Sequence, residues 1–446
     1  MTRPLPDSWR ISTFGALNQF PSSSISPANY PDEKFDLYSV PAFPNATPEV
    51  KLGKEIGSTK QLVHEDSILV CKINPRINRV WKIPSPNERK QIASSEWIGF
   101  FNKELNPNFF QYFFRSITFR SALCANVIGV GGSLTRAQPK KVASIAVPVA
   151  PINEQRRIAD KLDRVLARVD TANEHLSRVA PLIKRFRQSV LAAATSGQLT
   201  ADWRADKKTK PWDKAAIHEV AEVGTGSTPL KTNRAFYADK GTPWITSSAT
   251  KKDIVDSSEN YVTQDAIQAH RLKLYPPGTL LIAMYGEGRT RGQVTELAIH
   301  ATINQACAAI RITSDKTRPK FVKLVLKARY NEMRDMAEGG NQPNLNLQKV
   351  KNYAIPLPSL EEQSEIVCRV EKLFAFADRL EERLSQAQAA VQKLTPALLA
   401  KAFRGELVPQ DPNDEPASEL LKRLQESRTE SAKPSRARKA RTRKSP

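Results

Sequence analysis

The chain has 446 residues and carries 68 Lys and Arg against 46 Asp and Glu, a formal net charge of +22. That length holds two to four domains of ordinary size, and so large a basic excess points to a polyanionic partner, most often nucleic acid. No apolar stretch approaches the roughly 20 residues that cross a bilayer, and Met1–Pro6 lacks an apolar secretory core, so no membrane is expected and a soluble, cytoplasmic protein is.

Residues 1–150 are rich in Pro, Asn, Ser and aromatics, with short β-like runs between turn formers, such as Ser67 to Ile73. They are taken as a first mixed α/β domain. Residues 151–199 form the second segment. Across 153–196 Pro and Gly nearly vanish and Glu, Arg, Ala and Leu dominate, which predicts one long helix with a bend near Pro181. Residues 200–358 return to the first style, with Thr279 to Met284 as the clearest strand, and form a second α/β domain. Residues 359–409 carry a second long helix, with Pro396 near its end. Residues 410–446 read as a basic, largely disordered tail with a short helix at 416–427 and seven cationic side chains from Lys433 onward. For this tail a solvated extension and a weak, non-specific DNA clamp stay open.

The four cysteines (Cys71, Cys124, Cys307, Cys368) lie far apart without a CxxC pair. They read as small buried residues in a reducing compartment.

Part of the chain repeats at a spacing of 208 residues. Gly131-Gly132 matches Gly339-Gly340, Ala146-Val147-Pro148 matches Ala354-Ile355-Pro356, Glu154-Gln155 matches Glu362-Gln363, and Gly197-Gln198-Leu199 matches Gly405-Glu406-Leu407. Within the first helix, apolar residues at Ile158, Leu162, Val165, Val169, Ala172, Leu176, Val179, Ile183, Phe186 and Val190 alternate steps of four and three. Their counterparts Ile366, Val370, Leu373, Ala377, Leu380, Leu384, Ala387, Val391, Leu394 and Leu398 are apolar again. A sustained period of 3.5 residues keeps one seam toward a partner helix. Two ordinary amphipathic helices in a bundle are the plainer alternative. The coiled-coil reading makes each helix the other's partner, antiparallel about a pseudo-twofold axis. The expected fold class is therefore α+β, with two mixed α/β domains separated by two long helices in an antiparallel coiled coil. Each seam would span roughly 48 Å at about 1.5 Å per residue, enough to hold two reading heads about one duplex turn apart.

Catalytic motifs are missing. Gly224-Thr225-Gly226 lacks the third glycine of a dinucleotide loop, and no phosphate-binding GxxxxGK[ST] loop occurs. Asn74-Pro75-Arg76 lacks the second proline and aromatic of an amino-group methyltransferase motif. The five histidines are isolated, so no metal cluster is expected, and the abundant carboxylates of the helices read as solvated faces. No catalytic, cofactor or metal residue is assigned.

The doubled pattern of apolar strand, Pro148 through Ile158 or Pro356 through Ile366, heptad helix and Gly-x-Leu resembles the specificity subunit of type I restriction–modification systems. Leu280 through Gly286, Thr290-Arg291-Gly292 and Asn304-Gln305 resemble the same family, and the first variable block matches less obviously. The resemblance implies two target recognition domains reading the halves of a split double-stranded DNA sequence. It implies helices that act as a ruler and dock two methyltransferase subunits, joined by two restriction and motor subunits. It implies that S-adenosylmethionine, ATP and Mg sit on those partners, so this subunit is not an enzyme.

Within that frame, cations supply affinity through phosphates, while Asn, Arg, Tyr and Thr can meet base edges. The candidates are Lys72, Asn74, Arg76, Asn78 and Arg79 in the first domain. In the second they are Lys231, Arg234, Tyr285, Arg289, Thr290 and Arg291. The glycine pairs and Asn341, Gln342, Asn344 and Asn346 read as turn formers. The two variable domains differ, which predicts unlike half-sites and an asymmetric target. A basic coiled-coil scaffold that binds nucleic acid non-specifically is the competing reading.

Overall fold

The computed structural model describes residues 4–21, 23–85, 88–125, 127–128, 135–285, 290–336 and 345–431. In chain order it runs through β1 (Arg10–Thr13), α1 (Pro107–Arg115), β2 (Ala146–Val149), α2 (Ile152–Ser196), β3 (Asp213–Ala216), β4 (Leu280–Ala283) and β5 (Val294–Leu297). It continues through α3 (Pro319–Ala328), α4 (Tyr330–Asp335), β6 (Ala354–Leu357), α5 (Leu360–Ala402) and α6 (Ala417–Ser431). The chain divides into two compact units, Met1–Leu176 with Ala387–Pro446, and Ser177–Gln386. Each long helix therefore contributes one stretch to each unit.

In the first unit, β1 pairs antiparallel with β2, Arg10 opposite Val149 and Thr13 opposite Ala146. The variable block adds a five-stranded sheet containing Lys34–Tyr38 and a three-stranded sheet in which Ile68–Cys71 lies between Val80–Lys82 and Trp97–Phe100. Helix α1 starts because Asn106 accepts from Phe109 N and Pro107 supplies a preset φ. Its phenylalanines pack with Phe14, Phe100 and Phe119, with Leu162 and Leu166 of α2, and with Leu399 and Ala402 of α5. Phe403 meets Phe109 and Phe113 edge-on at centroid distances of 5.3 and 5.1 Å.

In the second unit, β3 pairs antiparallel with β6, Asp213 opposite Leu357 and Ala216 opposite Ala354. A five-stranded sheet contains β4 and β5, and a four-stranded sheet contains Thr242–Ile245. The core draws Val190 and Ala194 from α2, Phe321, Val322, Val325 and Leu326 from α3, and Ile366 and Val370 from α5.

Helix α2 is continuous through Pro181, so the proline does not end it. Alternating tight burial elsewhere holds the helix: Ile183 beyond the proline is 4% exposed. The short helix expected at 416–427 is present as α6 (Ala417–Ser431), but it is packed onto the first unit and not part of a loose tail. Ala417, Leu420 and Leu424 of α6 are buried in the first unit's core, and Asp414 makes a two-pronged ion pair with Arg157 at 2.6 and 3.1 Å. An apolar residue every three or four positions is enough to anchor so charged a helix once a core is present to receive it. Lys433–Pro446 lie outside the described residues. The cysteine reading needs a similar correction. Cys71 and Cys307 are buried, but Cys124 is half-buried and Cys368 is exposed, on the outer face of α5. No helix among the described residues is long and apolar enough to cross a membrane.

Candidate nucleic-acid interface

The Glu-Gln pairs at the start of each long helix organise the two units in the same way. Glu154 is fully buried and accepts the Trp9 indole N–H at 2.9 Å and the Gln410 amide at 2.5 Å. Glu362 accepts the Trp212 indole N–H at 2.9 Å, the Thr200 hydroxyl at 2.7 Å and Arg204 at 3.2 Å. Gln155 receives Asn106 N, beside the start of α1, at 3.1 Å. Gln363 receives Arg318 N, the cap of α3, at 2.9 Å. Each glutamine also donates to the carbonyl five residues before it, Ala150 or Pro358. Thus these helix carboxylates are not solvated, as their composition had suggested; they tie each unit's opening strand to its helices. Burial raises the Glu154 carboxyl above its ordinary 4.5, against the lowering effect of its hydrogen bonds from Trp9 and Gln410 and of the nearby Arg157.

Most seam positions lie on the protected side of the helices, but Leu394, expected in the seam, is 44% exposed. Ile158, Leu162, Val169, Ile366, Val370 and Leu384 are buried, and Val165, Leu176, Leu373 and Leu380 are half-buried. In the second unit, Arg187 of α2 donates to Asp378 of α5 at 2.6 Å and to Glu381 at 3.1 Å, with its guanidinium 5.3 Å from the Phe374 ring centre.

The first group of candidate base readers falls on one hairpin loop, between Ile68–Cys71 and Val80–Lys82. Asn74 and Asn78 have φ of 47° and 51° and flank a tight turn at Pro75–Ile77. Asparagine tolerates this left-handed backbone better than other side-chain-bearing residues, so both shape the loop. Their side-chain oxygens are buried without a hydrogen-bond partner among the described residues. Arg79 donates to Ile73 O at 3.4 Å, and Lys72 lies 4.0 Å from Glu96, which also takes Arg136 at 3.2 Å. Arg76 and Ile77 are the exposed side chains of the turn.

The second group is divided. Lys231 and Arg234 are exposed on the approach to Tyr237–Ala238, a strand of the four-stranded sheet. Tyr285, Thr290 and Arg291 lie on the β4–β5 hairpin of the five-stranded sheet, and Arg289 lies outside the described residues. Thr290 O accepts from Gln293 N at 3.1 Å, and Gly292, at φ 82°, returns the chain to Ala283 O at 2.8 Å. Tyr285 is 36% exposed and Arg291 half-buried. Asn346 caps the helix Leu347–Lys351 by accepting from Lys349 N, in keeping with a turn former. Gly131, Gly132, Gly339, Gly340, Asn341, Gln342 and Asn344 lie outside the described residues.

Sequence reasoning passed over Lys184, Lys251, Lys252, Lys327 and Arg334, which line adjoining hollows in the second unit. Apart from the adjacent Lys251 and Lys252, they come from separate elements, so no local spacing marks the set. Reactive groups are scarce by contrast. Burial pushes up the thiols of Cys71 and Cys307, the latter to about 12, and among the described residues no group of three His, Cys, Asp or Glu side chains could hold a metal.

The model of the type I restriction modification DNA specificity domain matches residues 209–387. The type I restriction enzyme StySPI specificity subunit of Salmonella potsdam is 29% identical over 316 residues, covering 69% of this chain and 67% of that protein. The EcoBI specificity subunit of Escherichia coli is 30% identical over 319 residues, covering 67% and 66%. The HsdS subunit of Thermoanaerobacter tengcongensis superposes with a TM-score of 0.64 at 21% identity, over 91% of this chain and 99% of that one. A chain from a structural study of assembly and conformational transition in the type I R-M system gives a TM-score of 0.70 at 20% identity, over 91% and 100%. At those identities the structural likeness establishes the fold, and the sequence matches carry the family. The chain belongs to the type I restriction–modification DNA specificity family.

Proposed function

We propose that this chain selects the DNA target of a type I restriction–modification complex and does no chemistry itself. Each unit holds one recognition domain, and the two read unlike halves of a bipartite, asymmetric sequence. The helices α2 and α5 pair as an antiparallel coiled coil, set the length of the unread gap and dock two methyltransferase subunits. Those subunits bring S-adenosylmethionine, and two restriction subunits, where present, bring ATP and Mg. The complex works in the cytoplasm.

One observation carries this reading. The same strand, buried Glu-Gln pair and long helix occur twice, and each copy is joined to a β-rich domain of different sheet topology. A duplicated frame with dissimilar heads suits a target with dissimilar halves. Antiparallel pairing is supported by the shared cores: the first unit joins the N-terminal part of α2 to the C-terminal part of α5, and the second joins the opposite parts. The net charge of +22 suits a duplex contacted largely through phosphates. A non-specific scaffold would have no use for two dissimilar domains. The test is duplex binding by the full chain with its methyltransferase subunit. Selective, salt-sensitive binding is expected, and equal affinity for target and random duplex would leave only the scaffold.

A further inference from the structure

Where the chain enters β5 from the β4–β5 loop, the second unit carries a cationic cleft. Two hollows, of about 760 and about 310 Å³, share Gln293, Lys327 and Tyr330. Lys184 of α2 and Arg334 of α4 line the larger one, and Lys251 and Lys252 the smaller. Among the described residues, Asp253 is the one carboxylate in either lining, and it is already bridged to Lys323 at 3.1 Å and to Lys327. Lys184, Lys251 and Lys252 give the described lining its positive surplus where an anion would enter. Arg334 is steadied by its donation to the Tyr330 hydroxyl at 2.8 Å and lies 5.5 Å from that ring's centre. Lys184 is exposed on the helix.

Gln293 borders both hollows and Gly292 the smaller one, immediately beyond Thr290 and Arg291. A nucleotide whose base meets Thr290 or Arg291 would have its flanking phosphates beside Gly292 and Gln293. We propose that this cleft is a phosphodiester clamp: Lys184 and Arg334 neutralise backbone phosphates flanking the bases read by the second unit. The clamp rests on the DNA-reading function proposed above. It adds affinity without sequence information, because phosphates are alike at every step. The surface suits a phosphate strand better than an apolar protein face, since cations, amides and one tyrosine make up most of the larger hollow's wall.

The experiment uses the full chain with its methyltransferase subunit, and fluorescence anisotropy on duplexes with and without the methylated motif, across a salt series. For Lys184→Gln/Arg334→Gln, binding to both duplexes should weaken by about tenfold, and the slope of log K against log salt should fall by about 2, with the target preference unchanged. Lys184→Gln alone, at an exposed site, should lower the slope by about 1, and Lys184→Arg should restore it. A wild-type complex that selects its target alongside variants of unchanged slope and affinity would overturn the clamp and leave the reading function standing. Loss of the methyltransferase subunit on gel filtration, with the salt slope intact, would overturn it in favour of a protein-docking surface. A wild-type complex without target preference would remove the reading function, and the clamp with it.

Discussion

Trp9 donates its indole N–H to the buried carboxylate of Glu154 at 2.9 Å, joining the first strand's approach to the first long helix across 145 positions of sequence. Removing that acceptor strands the indole and the Gln410 amide, which shares the same carboxylate. Glu154→Ala should destabilise the first unit by about 2–4 kcal/mol, and Glu154→Gln by less, in chemical denaturation. An unchanged midpoint would show the contact to be incidental.

The same group gives a pH signature. Burial holds the folded-state pKa of Glu154 above its unfolded value, so the folded chain binds this proton more tightly. Its contribution to stability is fully present below the unfolded pKa and is lost as pH rises through the folded one. Glu154→Gln should flatten that segment of the melting-temperature curve. A variant curve parallel to wild type would assign the slope to other groups.

Gly197 directly follows α2 and Gly405 lies in the turn just past α5, with φ of 82° and 72°, a backbone that a side chain adopts at a cost of about 1–2 kcal/mol. Their surroundings differ. A Cβ on Gly405 would lie 2.4 Å from Pro6 Cγ, whereas one on Gly197 would lie 2.2 Å from the movable guanidinium of Arg204. Gly405→Ala should therefore lower the melting temperature more than Gly197→Ala. Equal losses would mean that only the backbone conformation matters.

Helix α6 should prove part of the fold. Leu420 is 2% exposed within the first unit's core, and Leu420→Ala should cost about 2–4 kcal/mol. Limited proteolysis gives a second reading: the variant's C-terminal region should be cut sooner. Wild-type stability in this variant would mean that the helix is dispensable.

Base reading should divide by unit. Arg76→Ala should relax selection in one half of the motif and Tyr285→Ala in the other, each by about 1–3 kcal/mol per base pair contacted. Selection from a randomised duplex pool measures both. Loss spread evenly over the two halves would contradict separate reading heads.

The ruler can be lengthened. One heptad inserted in both helices, after Leu176 and after Gln386, preserves the seam and adds roughly 10 Å, or about 3 base pairs of gap. A constant gap in the methylated motif would show that the helices do not set it.

The helices were legible because a heptad pattern repeats a local rule many times; Ile158 to Val190 and Ile366 to Leu398 required no knowledge of distant contacts. The strand Leu280–Ala283 was legible for the same reason, as an apolar run bounded by turn formers. The role of Glu154 was not. A glutamate on a polar helix looks solvated until Trp9 and Gln410 are folded onto it, and no window of sequence contains all three. Leu420 and Leu424 were hidden among charges, since their partners lie in residues far earlier in the chain. The candidate readers were legible only as types. Asn74 and Asn78 suggested base contacts, yet their left-handed backbone gives them a loop-shaping task, and the cations of the cleft are gathered from separate elements.

Modification-sensitive long-read sequencing of a genome methylated by this chain with its methyltransferase subunit reports motif, gap and modified base together. Two unlike short sequences separated by an unread gap of constant length are expected. A continuous motif, a palindrome, or methylation without sequence preference would contradict the duplicated frame as a holder of two dissimilar reading heads.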